Sequence, residues 1–449
     1  MKYYQTIINE NGNIAVDDTI LVKDVPAAAG SHILEGFKPL FSAEAVTRLQ
    51  QKGYTVSGKT CVGEFGLDLV GEFSYSAEQE GRLYGAAAEL VKAGKVKAAL
   101  SVDMNGAPRR AAAISDVVFL KPTYGTVSRY GVISCAASGE QIGVSAKGAD
   151  EVAEIMNVIA GHDEKDGTSL PEKSYDYSAD INLAGKKVAV ITDLTDKADE
   201  AVRGRVAEFT DALKKNGVQV EEKSCDFFGF ANTAWQILMS AETCNNISRY
   251  DGVKFGYRSK EYRNIDELYI NSRTEGFNFL TKAVILYGSD ALSKTRYKDC
   301  YEKSLKIRRI VTDRLSELFG QYDAIVMPAC STVSYENYDI SDAFKKTFAE
   351  SIFTSSANLT GIPAIVGGSV MELKDVTPAD LNLSIGVIIV GLVVSAVVGF
   401  LSIKMVQWLL KSDKFKIFMI YTFVLGVIVL LTGITEHIIG QNIVDMLFK

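Results

Sequence analysis

Residues 100–125 read L-S-V-D-M-N-G-A-P-R-R-A-A-A-I-S-D-V-V-F-L-K-P-T-Y-G. The second half of this stretch closes on Leu120-Lys121-Pro122-Thr123-Tyr124-Gly125 and runs on through Val127, Ser128, Arg129, Tyr130 and Gly131. The first half carries Asp103, Asn105, Gly106 and Ala107. Position 107 therefore holds only a methyl group. Further along the chain, short apolar runs such as Val188–Ile191 and Ala324–Met327 read as buried strands of a central sheet. Longer periodic segments read as helices packed on that sheet. In Ala43–Gly53, Ala45, Val46 and Leu49 share a face and Gly53 stands where a C-cap belongs. Val202–Gly217 repeats the device with Val206, Phe209, Leu213 and Gly217. Strands alternating with helices predict an α/β fold.

The bulk properties narrow the function classes. With 449 residues the chain can hold one large domain plus something smaller. A formal net charge of −7 gives no global attraction to nucleic acid, so no direct nucleic-acid contact is expected. The six cysteines lie far apart without a C-x-x-C pair, which predicts buried free thiols in a reducing compartment. His32, His162 and His437 are scattered too, arguing against a Ser-His-Asp triad or a histidine-rich metal site. No metal or cofactor is expected. The N-terminus, Met1-Lys2-Tyr3-Tyr4-Gln5, lacks the apolar core of a signal peptide.

The 100–131 stretch resembles the amidase signature family, and within it the A subunits of aspartyl/glutamyl-tRNA amidotransferases. The family pattern is G-S-D-T-G-G-S-I-R-Q-P-A followed by L-K-P-T-Y-G-x-V-S-R-Y-G. The resemblance covers about residues 20–365 and implies a mixed central sheet flanked by helices, here incomplete at both ends. It also implies a Ser–Ser–Lys relay, in which a buried neutral lysine draws a proton through a bridging serine. Leu21-Val22-Lys23-Asp24 is similar to the family's V-K-D strand and would make Lys23 the retained base. Gly58-Lys59-Thr60 and Glu64-Phe65-Gly66 resemble the neighbouring G-K-T and E-F elements. By the same resemblance Leu83 falls at the bridging serine and Ala107 at the nucleophile, so both hydroxyls are lost. Asp103 and Gly106 survive in the nucleophile loop. Ser74 or Ser76 stays open as a replacement at the bridge, whereas Ser101 or Ser115 as nucleophile would need a displacement of several residues and would lose the oxyanion geometry. The substrate clamp is degenerate: Lys282-Ala283-Val284-Ile285 stands where the family has K-R-R-I, and Ser351 where it has an aspartate. The resemblance implies an impaired enzyme that would partner other amidotransferase subunits. An active amidase or glutaminase with a rewired nucleophile is the alternative.

The composition changes after about Asp380. Leu381–Ile403 and Ile417–Thr435 contain no charged residue, and each is long enough to cross a hydrocarbon core of ~30 Å. Residues 362–449, from Ile362-Pro363-Ala364-Ile365 onward, resemble the C-terminal end of bacterial undecaprenyl-diphosphatase without its catalytic motifs. That implies membrane lipids as partners and, as a further alternative, a role in undecaprenyl lipid metabolism. The expected organisation is an amidase-like domain over 1–350, a junction over 351–376 and transmembrane helices over 377–449. The basic loop Lys411–Lys416 should face the cytoplasm. A third span at the uncharged Ser351–Met371 would keep the amidase-like domain on the cytoplasmic side of the cytoplasmic membrane.

Overall fold

A computed structural model describes residues 3–75, 85–177 and 182–367. In chain order its elements begin with β1 (Tyr4–Ile7), β2 (Ile14–Asp17), α1 (Glu44–Gln51), β3 (Val56–Thr60), α2 (Ala86–Lys92), β4 (Ala98–Asp103) and α3 (Ala107–Ser115). Next come β5 (Val118–Lys121), β6 (Gln141–Ala146), α4 (Ala149–Ile159), β7 (Lys187–Ile191), α5 (Thr192–Thr195), α6 (Glu200–Lys215) and β8 (Gln219–Lys223). The series ends with α7 (Phe228–Asn246), α8 (Ile265–Gly276), α9 (Phe279–Leu292), α10 (Lys303–Phe319), β9 (Ala324–Val326), α11 (Ile340–Glu350), α12 (Ser355–Thr360) and β10 (Ala364–Val366).

Seven strands form a mixed sheet in the order β1-β3-β2-β4-β6-β5-β10. Its centre, β3-β2-β4, is parallel, and the pairs toward both edges are antiparallel. Strand alternation assigns each side chain to a face. Ile14 and Val16 of β2, with Ala98 and Leu100 of β4, join one apolar core with Val46 and Leu49 of α1 and Ile155 and Met156 of α4. Ala15 and Ala99 join the other, with Leu90 and Val91 of α2, Ala112 of α3 and Trp235 of α7. Asp17 and Ser101 follow Ala15 and Ala99 by two residues, so they project toward this second face. A separate three-stranded sheet, β8-β7-β9, is wholly parallel and packs Val188 against Leu213 of α6.

The runs at Val188–Ile191 and Ala324–Met327 are strands, β7 and β9, but they belong to the separate three-stranded sheet rather than the central one, and β9 is only half-buried. The helices expected from Ala43 and Val202 are α1 and α6, and Gly53 and Gly217 beyond them take the positive φ of a C-cap, 87° and 84°. Thiol burial is less uniform than expected: Cys135 and Cys330 are buried, whereas Cys225, Cys244 and Cys300 are only partly covered.

The third membrane span expected at 351–371 is corrected by the fold. Ser351–Phe353 is a 3-10 turn, Ser355–Thr360 is α12, and β10 pairs antiparallel with β5, with Ala364 opposite Lys121. Thr354 and Asn358 there have polar partners inside the domain. Thr354 O accepts a 3.0 Å hydrogen bond from Arg109, and the Asn358 amide donates to Gly139 O at 3.1 Å. Among the described residues no helix is long and apolar enough to cross a membrane. The expected spans over 377–449 lie outside the described residues.

Candidate active site

The C-terminal ends of the parallel strands β2 and β4 and the first turns of α2 and α3 enclose a cleft with about 50 Å³ of free volume. Crevices beyond the carboxyl ends of parallel strands are habitual ligand sites. Asp17, Asp68, Ser101, Ala107 and Pro108 line it, and most of the remaining wall is glycine and alanine.

Asp17 is the polar centre of this cleft. Its Oδ1 accepts hydrogen bonds from Thr60 Oγ1 at 2.8 Å and Ser101 Oγ at 3.1 Å, and its Oδ2 accepts one from the Val102 N–H at 3.2 Å. Burial lifts its carboxyl to about 6, against these donors and the nearby Lys59 charge, which favour ionisation. Lys59 is fully buried, yet its ammonium donates to main-chain carbonyls, Asp17 O at 2.8 Å and Ile20 O, and stands 3.9 Å from Asp18 Oδ1. Burial pulls Lys59 down to about 8, while Asp18 and Asp17 hold it up. On the opposite wall, Asp68 accepts N–H groups from Gly71 at 3.0 Å and Phe73 at 2.8 Å. Burial, then the neighbouring Glu72 charge, push its carboxyl well above the usual range.

The turn from β4 into α3 is built around Asp103. Gly106 is the N-cap of α3 with φ 85°, and a Cβ there would meet the Thr354 side chain at 2.4 Å, so only glycine fits. Asp103 Oδ1 takes the Gly106 N–H at 3.1 Å, and Arg109 clamps the carboxylate through Nε at 2.7 Å and Nη2 at 3.0 Å. Asn358 Nδ2 adds a contact at 2.9 Å. Burial opposes the ionised form, but Arg109 and Asn358 outweigh it and hold the Asp103 carboxyl below its ordinary range. This network leaves little for an oxyanion. The Gly106 N–H is engaged, and Pro108 in the first turn has no N–H to give.

The expected site residues divide accordingly. Asp103, Gly106 and Ala107 come together at the β4–α3 turn, with the Ala107 methyl in the cleft wall. Ser101 also reaches the cleft, whereas Ser115 sits at the far end of α3 and donates to Glu89 at 2.8 Å. Ser74 is buried but does not line the cleft. Lys282, half-buried on α9, donates to Thr274 O at 3.0 Å, and Ser351 is buried with its hydroxyl on Thr347 O at 2.6 Å. Neither lines the cleft. Leu83 and Ser76 lie outside the described residues.

Lys23 requires a correction. It is exposed in the loop after β2, where its backbone N–H meets Ser42 Oγ at 3.0 Å, and it does not line the cleft. The burial that a lysine base depends on is absent there. The chain carries V-x-D twice, six residues apart, as Val16-Asp17-Asp18 and Val22-Lys23-Asp24. The first copy ends the central strand and puts an aspartate in the cleft. The available signal was strand context: Ile14-Ala15-Val16 is an uninterrupted apolar run of the kind a sheet interior requires. Arg109 had a signal in the G-S-D-T-G-G-S-I-R pattern, whose arginine stands two residues after the nucleophile position, whereas Asp68 carries no comparable signal in one sequence.

Comparison with known proteins agrees with the fold. Residues 13–395 match the family model "Amidase", so the match continues well past Ile365. The chain is 35% identical over 364 residues to the A subunit of glutamyl-tRNA(Gln) amidotransferase from Lactobacillus delbrueckii subsp. bulgaricus, covering 78% of this chain and 75% of that protein. It is 33% identical over 390 residues to the corresponding protein of Lachnoclostridium phytofermentans, covering 84% and 79%. Among solved structures, the same amidotransferase component from Thermotoga maritima superposes with a TM-score of 0.64 at 27% identity, covering 81% of this chain and 79% of that one. Peptide amidase from Stenotrophomonas maltophilia shares the fold, with a TM-score of 0.60 at 22% identity and coverage of 78% and 74%.

Proposed function

The chain belongs to the amidase family and is similar to the A subunits of glutamyl-tRNA(Gln) amidotransferases, and from that premise we propose that its cleft binds a ligand without hydrolysing it. The observation that carries this reading is the pair Ala107 and Asp17. The helix-start position that would present a nucleophile holds a methyl, and the strand end that would present an amine base holds a carboxyl. A carboxyl near 6 is a poor acceptor for an alcohol proton, and the engaged Gly106 N–H weakens any oxyanion cradle. The frame that presents the cleft remains intact through Asp103, Arg109 and Asn358.

In this reading the protein acts through association. Its relatives are named as subunits of an amidotransferase, which supports other amidotransferase subunits as its partners. The uncharged runs 381–403 and 417–435 support a membrane-anchoring tail in contact with lipid. Retention of the full chain in the membrane pellet after alkaline carbonate washing tests the anchor; complete release refutes it.

The catalytic half is tested by ammonia release from glutamine and simple amides with the purified full chain and with Ala107→Ser. Neither is expected to exceed the uncatalysed background. Turnover by wild type would refute the binding-only reading. The Ser101–Asp17 hydrogen bond supports a second reading, in which Ser101 is a displaced nucleophile. That reading requires turnover that Ser101→Ala abolishes.

A further inference from the structure

The cleft has reversed its charge relative to a lysine-based site. Among its described lining residues the ionisable groups are Asp17, Asp68 and the Cys61 thiol, and no lysine, arginine or histidine stands in the wall. Lys59 is near, but adjacent side chains on a strand point to opposite faces, and its ammonium is directed at the carbonyls of Asp17 and Ile20. Every group that touches the Asp17 carboxyl is a donor: two hydroxyls and one N–H. That is an environment for an anion that still lacks a full countercharge at short range. Burial makes the lack costly, because an ionised carboxylate taken out of water needs a paired cation. The rest of the wall sets the size and polarity of what can enter. Ala86, Ala87, Ala107 and Ala111 stand in the wall, and about 50 Å³ of free volume suits a small group.

We propose that the cleft takes a short primary alkylammonium, its charged nitrogen on the Asp17 carboxylate and its carbons against the alanine wall. This rests on the reading of the site as a binding pocket and names the ligand class of that pocket. The same features disfavour an anionic ligand, which would meet Asp17 without a cation among the described residues of the wall. They also disfavour a neutral amide, which brings no positive charge for the Asp17 carboxylate.

Ethylammonium chloride is the probe, with ethanol as the neutral analogue of equal heavy-atom count and acetamide as the amide. Binding to the purified full chain is followed by saturation-transfer NMR at neutral pH, with ionic strength fixed by potassium chloride. Ethylammonium should bind at least tenfold more tightly than ethanol or acetamide. Asp17→Asn should weaken ethylammonium at least tenfold, and Lys23→Ala should leave it unchanged. Ala107→Val, which fills the cleft, should abolish binding and decides the matter if Asp17→Asn does not fold. No binding of ethylammonium, equal binding of ethanol or acetamide, or binding that survives Asp17→Asn or Ala107→Val overturns the assignment. Amide turnover by the wild type would defeat the binding-only reading while leaving an amine site intact. Absence of both turnover and amine binding defeats only the ligand assignment.

Discussion

Asp17→Asn should stabilise this protein at neutral pH, although it removes a buried side chain with three hydrogen-bond donors around it. The Asp17 carboxyl titrates at about 6 in the folded chain, against about 3.9 for an unperturbed aspartate. A raised carboxyl pKa means the folded state binds more protons than the unfolded state between those values. Stability attributable to Asp17 is therefore full below about 4 and is lost as pH rises through about 6. Two units correspond to ~3 kcal/mol. Asparagine keeps an oxygen for Thr60 and Ser101 but turns an NH₂ toward the Val102 N–H, at a cost of ~1–2 kcal/mol. The net expectation at pH 7.5 is a variant about 1–2 kcal/mol more stable than wild type. Near pH 4.5 the variant should be slightly less stable. Urea unfolding of both proteins from pH 4.5 to 7.5 checks this, because the difference between them cancels the other carboxylates. A difference that stays flat, or that moves against the variant as pH rises, refutes the argument that burial dominates the Asp17 environment.

The other predictions concern the frame around the cleft. Arg109→Met should cost ~3–5 kcal/mol, since it strands the buried Asp103 carboxylate, and a thermal melt should show it. Gly106→Ala should cost well over ~2 kcal/mol, combining a left-handed backbone with a Cβ driven into Thr354. Gly36→Ala, also at positive φ but with nothing within 4 Å of the new methyl, should cost only about 1 kcal/mol by denaturant titration. Lys23→Ala should change stability by less than ~0.5 kcal/mol, whereas Lys59→Met, which leaves buried Asp18 without its cation, should cost ~3 kcal/mol or more.

The fold was legible where a pattern repeats over many residues. The periodic faces of Ala43–Gly53 and Val202–Gly217 and the apolar runs at β7 and β9 follow from burial alone. The site was legible where a motif is long, so Ala107 and Gly106 fall at the start of α3 as the L-K-P-T-Y-G spacing required. It was misread where the motif is three residues. V-K-D matches at Lys23 better letter by letter than V-D-D does at Asp17, yet only Asp17 continues an apolar strand into the sheet centre. The span expected at Ser351–Met371 failed for a related reason. An uncharged run is equally compatible with hydrocarbon and with a protein interior, and Thr354 and Asn358 find polar partners in the latter.

The two altered positions are coupled by geometry rather than by sequence. Ala107 and Asp17 come from different elements, and each by itself would read as one substitution. Asp17 stands next to Ser101 because β2 and β4 pair in parallel register, Ala15 beside Ala99 and Val16 beside Leu100. Ser101 in turn leads, through Asp103, into the turn that ends at Ala107. On the proposed reading, the base and nucleophile positions thus meet across one strand pair. The Asp103–Arg109–Asn358 network one turn away draws on neither residue: it fastens β4 and α3 to α12, next to the β10 edge. Because the supporting contacts do not pass through the reacting positions, the cleft can lose its chemistry and change sign while the fold around it stands.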